Sequence, residues 1–409
     1  MTTSGPRPRQ QQHAPTIDYP LGEPTRLDLH PGYASLLAEA PMIRVNMPHG
    51  GTAWLATGYE AVREVMSSPA VSRAAAAENP GIPRLLPEPP PAGTIMTIDP
   101  PEHSRLRRLV SKAFTARRVE AMRPRIQKAV DELLDGMARD GAPADLVRHL
   151  AVPLPVRVIC EIMGVPVEDE KHFRAFTEGI MGTTAFDSDE VKAAMGSFFG
   201  YFAQLIAERR ANPTDDLLGA LVTARDDEDS LSEQELVWLG VALLIGGHET
   251  TLNQITNFAY VLLGEPERAQ ELREHPELMP RAVEELLRYV PTGAGSAFAS
   301  LVTEDTVLHG VPVAAGEAVI VDLGAANRDP AAFGHPDELD FHRETNHHLA
   351  MGHGAHFCLG AQLARMELQI ALGTLLDRFP GLRLAVPEEG LSWRSGSLIR
   401  GLEELPVAW

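Results

Sequence analysis

A chain of 409 residues with 36 basic and 56 acidic side chains carries a formal net charge of −20, which argues against nucleic acid and anionic membrane surfaces as partners. Hydrophobic content of 44% and charged content of 22% are ordinary for a globular protein long enough to bury a large core. Two cysteines, Cys160 and Cys358, exclude a disulfide framework and suit a reducing cytoplasm.

Residues 1–18 are polar, Pro- and Gln-rich, and read as a disordered leader with no secretory signal. The longest apolar run, Leu236 to Ile245, is about half of what crosses a bilayer, so a soluble protein is expected. Short β elements such as Ala53–Thr57 come next, then a helix from Tyr59. Asn79 to Gly93 carries Pro80, Pro83, Pro87, Pro89, Pro90 and Pro91 and cannot be regular structure. Composition does not shift across it, so it reads as a functional loop rather than a linker.

From Asp99 to about Leu287 helical periodicity dominates. A helix is predicted to start at Asp99-Pro100-Pro101-Glu102, with Asp99 as N-cap. Its spacing puts His103, Leu106, Arg107, Val110 and Phe114 on one face, and Arg105, Arg108 and Lys112 on the other. Inward-pointing His103 and Arg107 suggest an anionic group beneath them; a solvated basic face with a snorkelling arginine is the plainer alternative.

A second helix should open on a Ser232/Glu235 capping box and run to about Leu263, roughly 45 Å. In its middle, Gly246-Gly247-His248-Glu249-Thr250-Thr251 follows an apolar run. Paired glycines cost about 1 kcal/mol each relative to alanine. That expense suggests a cleft where Gly246 and Gly247 leave space for a small ligand, with Glu249 and Thr250 relaying protons. The competing explanation is a kinked core helix. Further on, Glu285 and Arg288 stand three apart on an apolar helix and form a buried pair. Short strands return around 299–323, a meander follows from Asn327 to Asn346, and a β-rich tail ends the chain. One mainly helical domain with a minor β region is expected over 19–409.

The loop His348-Leu349-Ala350-Met351-Gly352-His353-Gly354-Ala355-His356-Phe357-Cys358-Leu359-Gly360 delivers a cysteine to a helix N-terminus, which favours the thiolate. Gly352, Gly354 and Gly360 read as positions where a side chain is forbidden. Cys358 is open to three readings: a structural cysteine under a Gly-rich turn, a zinc ligand with His353 and His356, or the axial ligand of a haem iron. Zinc is disfavoured because no Cys-x-x-Cys is present.

Taken together, these segments resemble the cytochrome P450 superfamily, and in particular its soluble bacterial members. The resemblance spans essentially the whole chain after residue 20. Met351–Gly360 is similar to the haem-ligand loop, Gly246–Thr251 to the oxygen-activating segment, Glu285 and Arg288 to the E-x-x-R pair, and Arg343 to the meander arginine that joins it. The resemblance implies a triangular prism with haem b between the long central helix and the Cys358 helix. It makes Cys358 the iron ligand, and Glu249 and Thr250 the catalytic proton donors. It places Phe114, Gly246, Gly247, Met351, Gly352, Gly360 and Ala364 against the cofactor, with His103, Arg107 and His356 on its propionates. Two departures stand out: Met351 replaces an aromatic residue, and Ser300 stands where relatives place a propionate-binding arginine.

The implied activity is insertion of one oxygen atom from O2 into an organic substrate, by hydroxylation or epoxidation. A bacterial macrolide, peptide or polyketide is the expected substrate class. Oxidative coupling on the same haem is one alternative; a non-catalytic haem or zinc protein is another. Leu243, Ala294, Gly295, Ser296, Ala297 and Leu398, with the 79–93 and 176–186 regions, would line the pocket. No flavin or nucleotide fingerprint is present, so a ferredoxin with its reductase is the expected donor. Arg105, Arg108, Lys112, Arg117, Arg118 and Arg365 are its candidate docking site. A cytoplasmic monomer is expected.

Overall fold

Chain order begins with β1 (Ile17–Asp18), α1 (Gly32–Glu39), β2 (Met42–Asn46), β3 (Thr52–Ala56), α2 (Tyr59–Ser67), β4 (Val71–Ser72) and α3 (Arg73–Ala77). Helices then dominate: α4 (Glu102–Ser111) and α5 (Ala116–Asp140) lead through β5 (Ala144–Asp145) to α6 (Pro153–Met163), α7 (Asp189–Ala211) and α8 (Leu217–Asp226). Next come α9 (Glu233–Gly264), α10 (Pro266–Glu274) and α11 (Met279–Tyr289). The last part holds β6 (Ser300–Val302), β7 (Thr306–Leu308), β8 (Val311–Val313), β9 (Ala318–Val321), α12 (Leu323–Ala326), α13 (Ala361–Arg378), β10 (Arg383–Leu384) and β11 (Pro406–Ala408). This computed structural model describes residues 16–22, 26–85, 91–112, 114–166, 169, 189–214, 216–226, 231–293, 299–394 and 399–409.

One six-stranded sheet runs β1-β2-β3-β9-β6-β4 and joins the first eighty residues to the 300–321 region. Ile17 and Asp18 pair with Val45 and Asn46, so ordered chain begins inside the stretch that composition assigns to a leader. Residues 1–15 of that stretch lie outside the described residues.

The long helix α9 is the axis of the fold. Its start is the expected capping box: the Glu235 N–H donates to Ser232 Oγ at 3.1 Å, and the Ser232 N–H donates to the Glu235 carboxylate at 2.7 Å. Apolar side chains point outward all round it, the pattern of a helix buried on every side. Leu236, Leu239, Val241 and Leu244 enter a core shared with α4, α6, α7 and α8. Leu252, Ile255, Phe258, Ala259 and Leu262 enter a second core with α5, α11 and α13. The Gly246–Thr250 segment falls between these two cores. No helix among the described residues is long and apolar enough to cross a membrane.

One local expectation fails. Helix α4 begins at Glu102 with Pro101 at its N-cap and no side-chain cap. Asp99 instead accepts from Ser72 Oγ and from the N–H groups of Arg73 (3.0 Å) and Ala74 (3.3 Å), so its carboxylate serves α3. The chain packs α3 alongside residue 99, and the orphan N–H groups of that first turn take the acceptor.

Candidate active site

Cys358 sits just ahead of α13, on a loop folded by two backbone bonds: the Cys358 N–H donates to the Met351 carbonyl at 2.7 Å, and the Gly352 N–H to that of Leu349 at 2.8 Å. Gly352 and Gly354 adopt φ of 74° and 67°, where side chains are strained. A Cβ on Gly354 would also stand 2.7 Å from the Met66 carbonyl oxygen at the end of α2. Gly360 differs from the expectation: its φ is −85° and nothing lies within 4 Å of a Cβ placed there. Met351 packs half-buried on the α13 core, and Ala364 is half-buried one turn into the helix. Burial pushes the Cys358 thiol up, while the Gly360 N–H, Arg107 and Arg365 pull it down. The helix terminus therefore does not by itself make a thiolate; a bound metal ion would.

The middle of α9 is open where its neighbours are closed. Leu244 and His248 are 1% and 2% exposed, yet Gly246 between them is exposed, and no atom stands within 4 Å of a Cβ added to it. Gly247 is different from the expectation. A Cβ there would meet Ile159 Cδ1 at 3.1 Å, so this glycine admits helix α6 rather than a ligand. Leu243 is half-buried against the first core. Thr250 Oγ1 donates to the Gly246 carbonyl at 2.9 Å, a contact that loosens the local helix ladder. Burial pushes the Glu249 carboxyl up, with Arg394 opposing. Arg394 was not legible in the sequence, because it approaches from the tail of the chain.

Four cation-forming side chains gather between α3, α4 and the cysteine loop. The His103 and His356 rings lie 4.2 Å apart, and Arg73 and Arg107 both face them. Burial, with those like charges, holds both imidazoles below their ordinary value, His356 at about 3. Arg107 also borders Cys358, Phe114 and Phe357 around a cavity of about 190 Å³. Asp99 offsets part of this positive charge, acting on both His103 and Arg73.

Glu285 lies at the centre of a buried network. Arg288 donates to it through Nε at 2.8 Å and Nη2 at 2.7 Å, and Arg343 Nε adds contacts of 3.1 Å to both oxygens. The Asp340 N–H and Asn346 Nδ2, each at 3.0 Å, complete it. Arg288 also donates to the carbonyls of Asn327, Pro336 and Glu338, which shapes the meander leading to Cys358. Neighbouring Glu284 accepts a bidentate pair from Arg365 (2.6 and 2.8 Å) and faces His348 Nε2 at 3.1 Å. Burial raises the Glu284 carboxyl, but those partners outweigh it and hold the group at about 2. Its stabilisation is full above pH 4.5 and is lost as pH falls toward 2. Glu284→Gln should therefore flatten the acid limb of the urea-unfolding stability profile over that window, by at most about 3 kcal/mol. An unchanged limb would show that this link between α11 and α13 carries no charge-dependent stability.

The residues fit a planar iron cofactor: a soft sulfur donor, an open face at Gly246, and a cluster of imidazoles and guanidiniums suited to carboxylates. They do not fit zinc. Among the described residues no three His, Cys, Asp or Glu side chains come together as a metal site, so His353, His356 and Cys358 do not converge.

The family model for cytochrome P450 matches residues 39–383. The chain belongs to the cytochrome P450 superfamily. It is 54% identical to nocardicin C N-oxygenase of Nocardia uniformis, over 96% of this chain and 99% of that one. It is 49% identical to mycinamicin IV hydroxylase/epoxidase of Micromonospora griseorubida, over 96% and 98%. The crystal structure of the LnmA P450 hydroxylase of the leinamycin pathway, from Streptomyces atroolivaceus, superposes with a TM-score of 0.91 at 51% identity, covering 96% of this chain and all of that one. P450 enzymes are monooxygenases that bind haem through a cysteine thiolate. In this P450, Cys160 is packed in the apolar core on α6, and Cys358 is the cysteine that borders the open site. Bacterial P450s normally draw on O2 and on a ferredoxin with its reductase.

Some expected site residues are not brought together. Ala294, Gly295, Ser296, Ala297 and Leu398, like the 176–186 region, lie outside the described residues. Two members of the expected docking patch are engaged elsewhere: Arg105 pairs with Glu235 of α9, and Arg365 with Glu284.

Proposed function

We propose that this P450 hydroxylates or epoxidises a bacterial secondary metabolite, with Glu249 and Thr250 managing proton delivery. The supporting observation is the pairing of the Thr250 hydroxyl with the Gly246 carbonyl beside an open face of α9. Bound haem supplies the activation of O2. Thr250 holds its hydroxyl at that face. Glu249, whose carboxyl burial pushes up against the pull of Arg394, passes protons inward. His103 and Arg107 would anchor the propionates. The names of its relatives make mycinamicin IV and nocardicin C the probes to try first.

Electrons would enter at the surface over the cysteine loop. Arg108, Lys112, Arg117 and Arg118 are exposed there, and Phe357 is 40% exposed. An acidic ferredoxin complements those cations on an otherwise acidic protein.

Turnover of a probe with isotopically labelled O2 tests the reading, because one labelled oxygen should appear in the product. Thr250→Ala should divert electrons to hydrogen peroxide, and Glu249→Gln should slow turnover by on the order of a hundredfold, both with substrate binding retained. Product oxygen drawn from water, or full coupling in both variants, would overturn it.

A further inference from the structure

His348 opens the cysteine loop, and neither the proton relay nor the cation cluster uses it. Its side chain is 2% exposed. Both ring nitrogens are engaged: Nε2 lies 3.1 Å from a Glu284 carboxylate oxygen, and Nδ1 accepts the Ala350 N–H at 3.2 Å. An acceptor at Nδ1 leaves the ring proton on Nε2, the atom that faces Glu284. We propose that His348 is a positioning residue for Cys358, tying the loop ahead of the cysteine to the carboxylate of Glu284.

The hydrogen bonds around the ring form one path to the iron-ligand segment. Glu284 is fixed by the bidentate pair from Arg365, which lies beyond Cys358 on α13. One carboxylate on α11 therefore grips the chain on both sides of the cysteine. Ala350, held by the ring, is followed by Met351, whose carbonyl accepts the Cys358 N–H at 2.7 Å. Between His348 and Ala350, the Leu349 N–H donates to Asn327 Oδ1 at 2.6 Å, and the Leu349 carbonyl accepts the Gly352 N–H at 2.8 Å. Each turn of the loop entry is thus pinned to a neighbour, and the imidazole is the pin that reaches α11. An apolar side chain at 348 would hold neither end.

The inference rests on Cys358 as the iron ligand, which the Cys358→Ser spectrum tests separately. Reduced holoprotein is saturated with carbon monoxide, and first-order loss of the thiolate-type band is followed at fixed temperature. That loss requires the loop to open, and each hydrogen bond removed raises the open population. His348→Ala should lose the band about tenfold faster than wild type. His348→Asn should lose it about threefold faster, because Asn keeps an acceptor for the Ala350 N–H but does not reach Glu284. In a Glu284→Ala background the His348→Asn step should vanish, since the contact it removes is already gone. Loss from His348→Ala within about twofold of wild type overturns the proposal. So does an Asn variant as fast as the Ala variant, or an Asn step that persists without Glu284. Cys160→Ser loosens the core away from the loop and should leave the rate unchanged; a rate matching His348→Ala would make the band a report of general stability and refute the placement. If an alanine variant does not hold haem, His348→Asn decides alone: a band lost more than about twofold faster supports the placement, and an unchanged rate or an absent band refutes it.

Discussion

Replacing Cys358 by serine should remove the thiolate-type Soret band of the reduced carbonyl complex and abolish O2-dependent turnover. A serine hydroxyl does not supply the electron-rich sulfur that drives cleavage of bound oxygen in this family. The loss should be total rather than graded, because Cys160, the other cysteine, is packed in the apolar core on α6 away from the cavity that Cys358 borders. Cys160→Ser is the control. Cys160 is 4% exposed and packed among Val156, Ile159 and Met163, so this change should cost stability without altering the spectrum. A Cys358→Ser protein that kept the thiolate-type band would place the iron ligand elsewhere and undo the site.

The second large effect is expected at Glu285, far from any reacting atom. Glu285→Ala leaves Arg288, whose side chain is fully buried, and Arg343 facing each other without their shared carboxylate. Removing one partner of a buried pair typically costs about 3–5 kcal/mol. The loss should be felt at the meander, since Arg288 also holds the carbonyls of Asn327, Pro336 and Glu338. Denaturant titration should show the midpoint collapse together with haem content. Arg288→Lys should not rescue the fold, because one ammonium cannot reproduce a planar fork reaching both Glu285 oxygens and three carbonyls. If Glu285→Ala unfolds within about 1 kcal/mol of wild type, the network does not hold the cysteine loop.

What was legible in the sequence follows from distance along the chain. The Ser232/Glu235 box, the Glu285/Arg288 pair and the glycines at 352 and 354 depend on neighbours a few residues away, where helix and turn geometry leave little choice. The glycine pair on α9 was only half legible. Successive residues on a helix are rotated by about 100°, so Gly246 opens on the site while Gly247 meets Ile159. Nothing in the sequence says which of the two faces which neighbour.

Charge partners show the same division more sharply. By itself the sequence showed a mainly helical chain, the Gly-rich loop that carries Cys358 and the position of Glu249 and Thr250 on the long helix through local spacing, while the family came from the resemblance of those motifs taken together. Only the tertiary structure decided that Asp99 caps α3 and that Arg105 and Arg365 are engaged by Glu235 and Glu284. A charged side chain takes whichever partner packing brings within hydrogen-bond reach. For residues 25 to 130 positions apart, sheet and helix packing choose that partner.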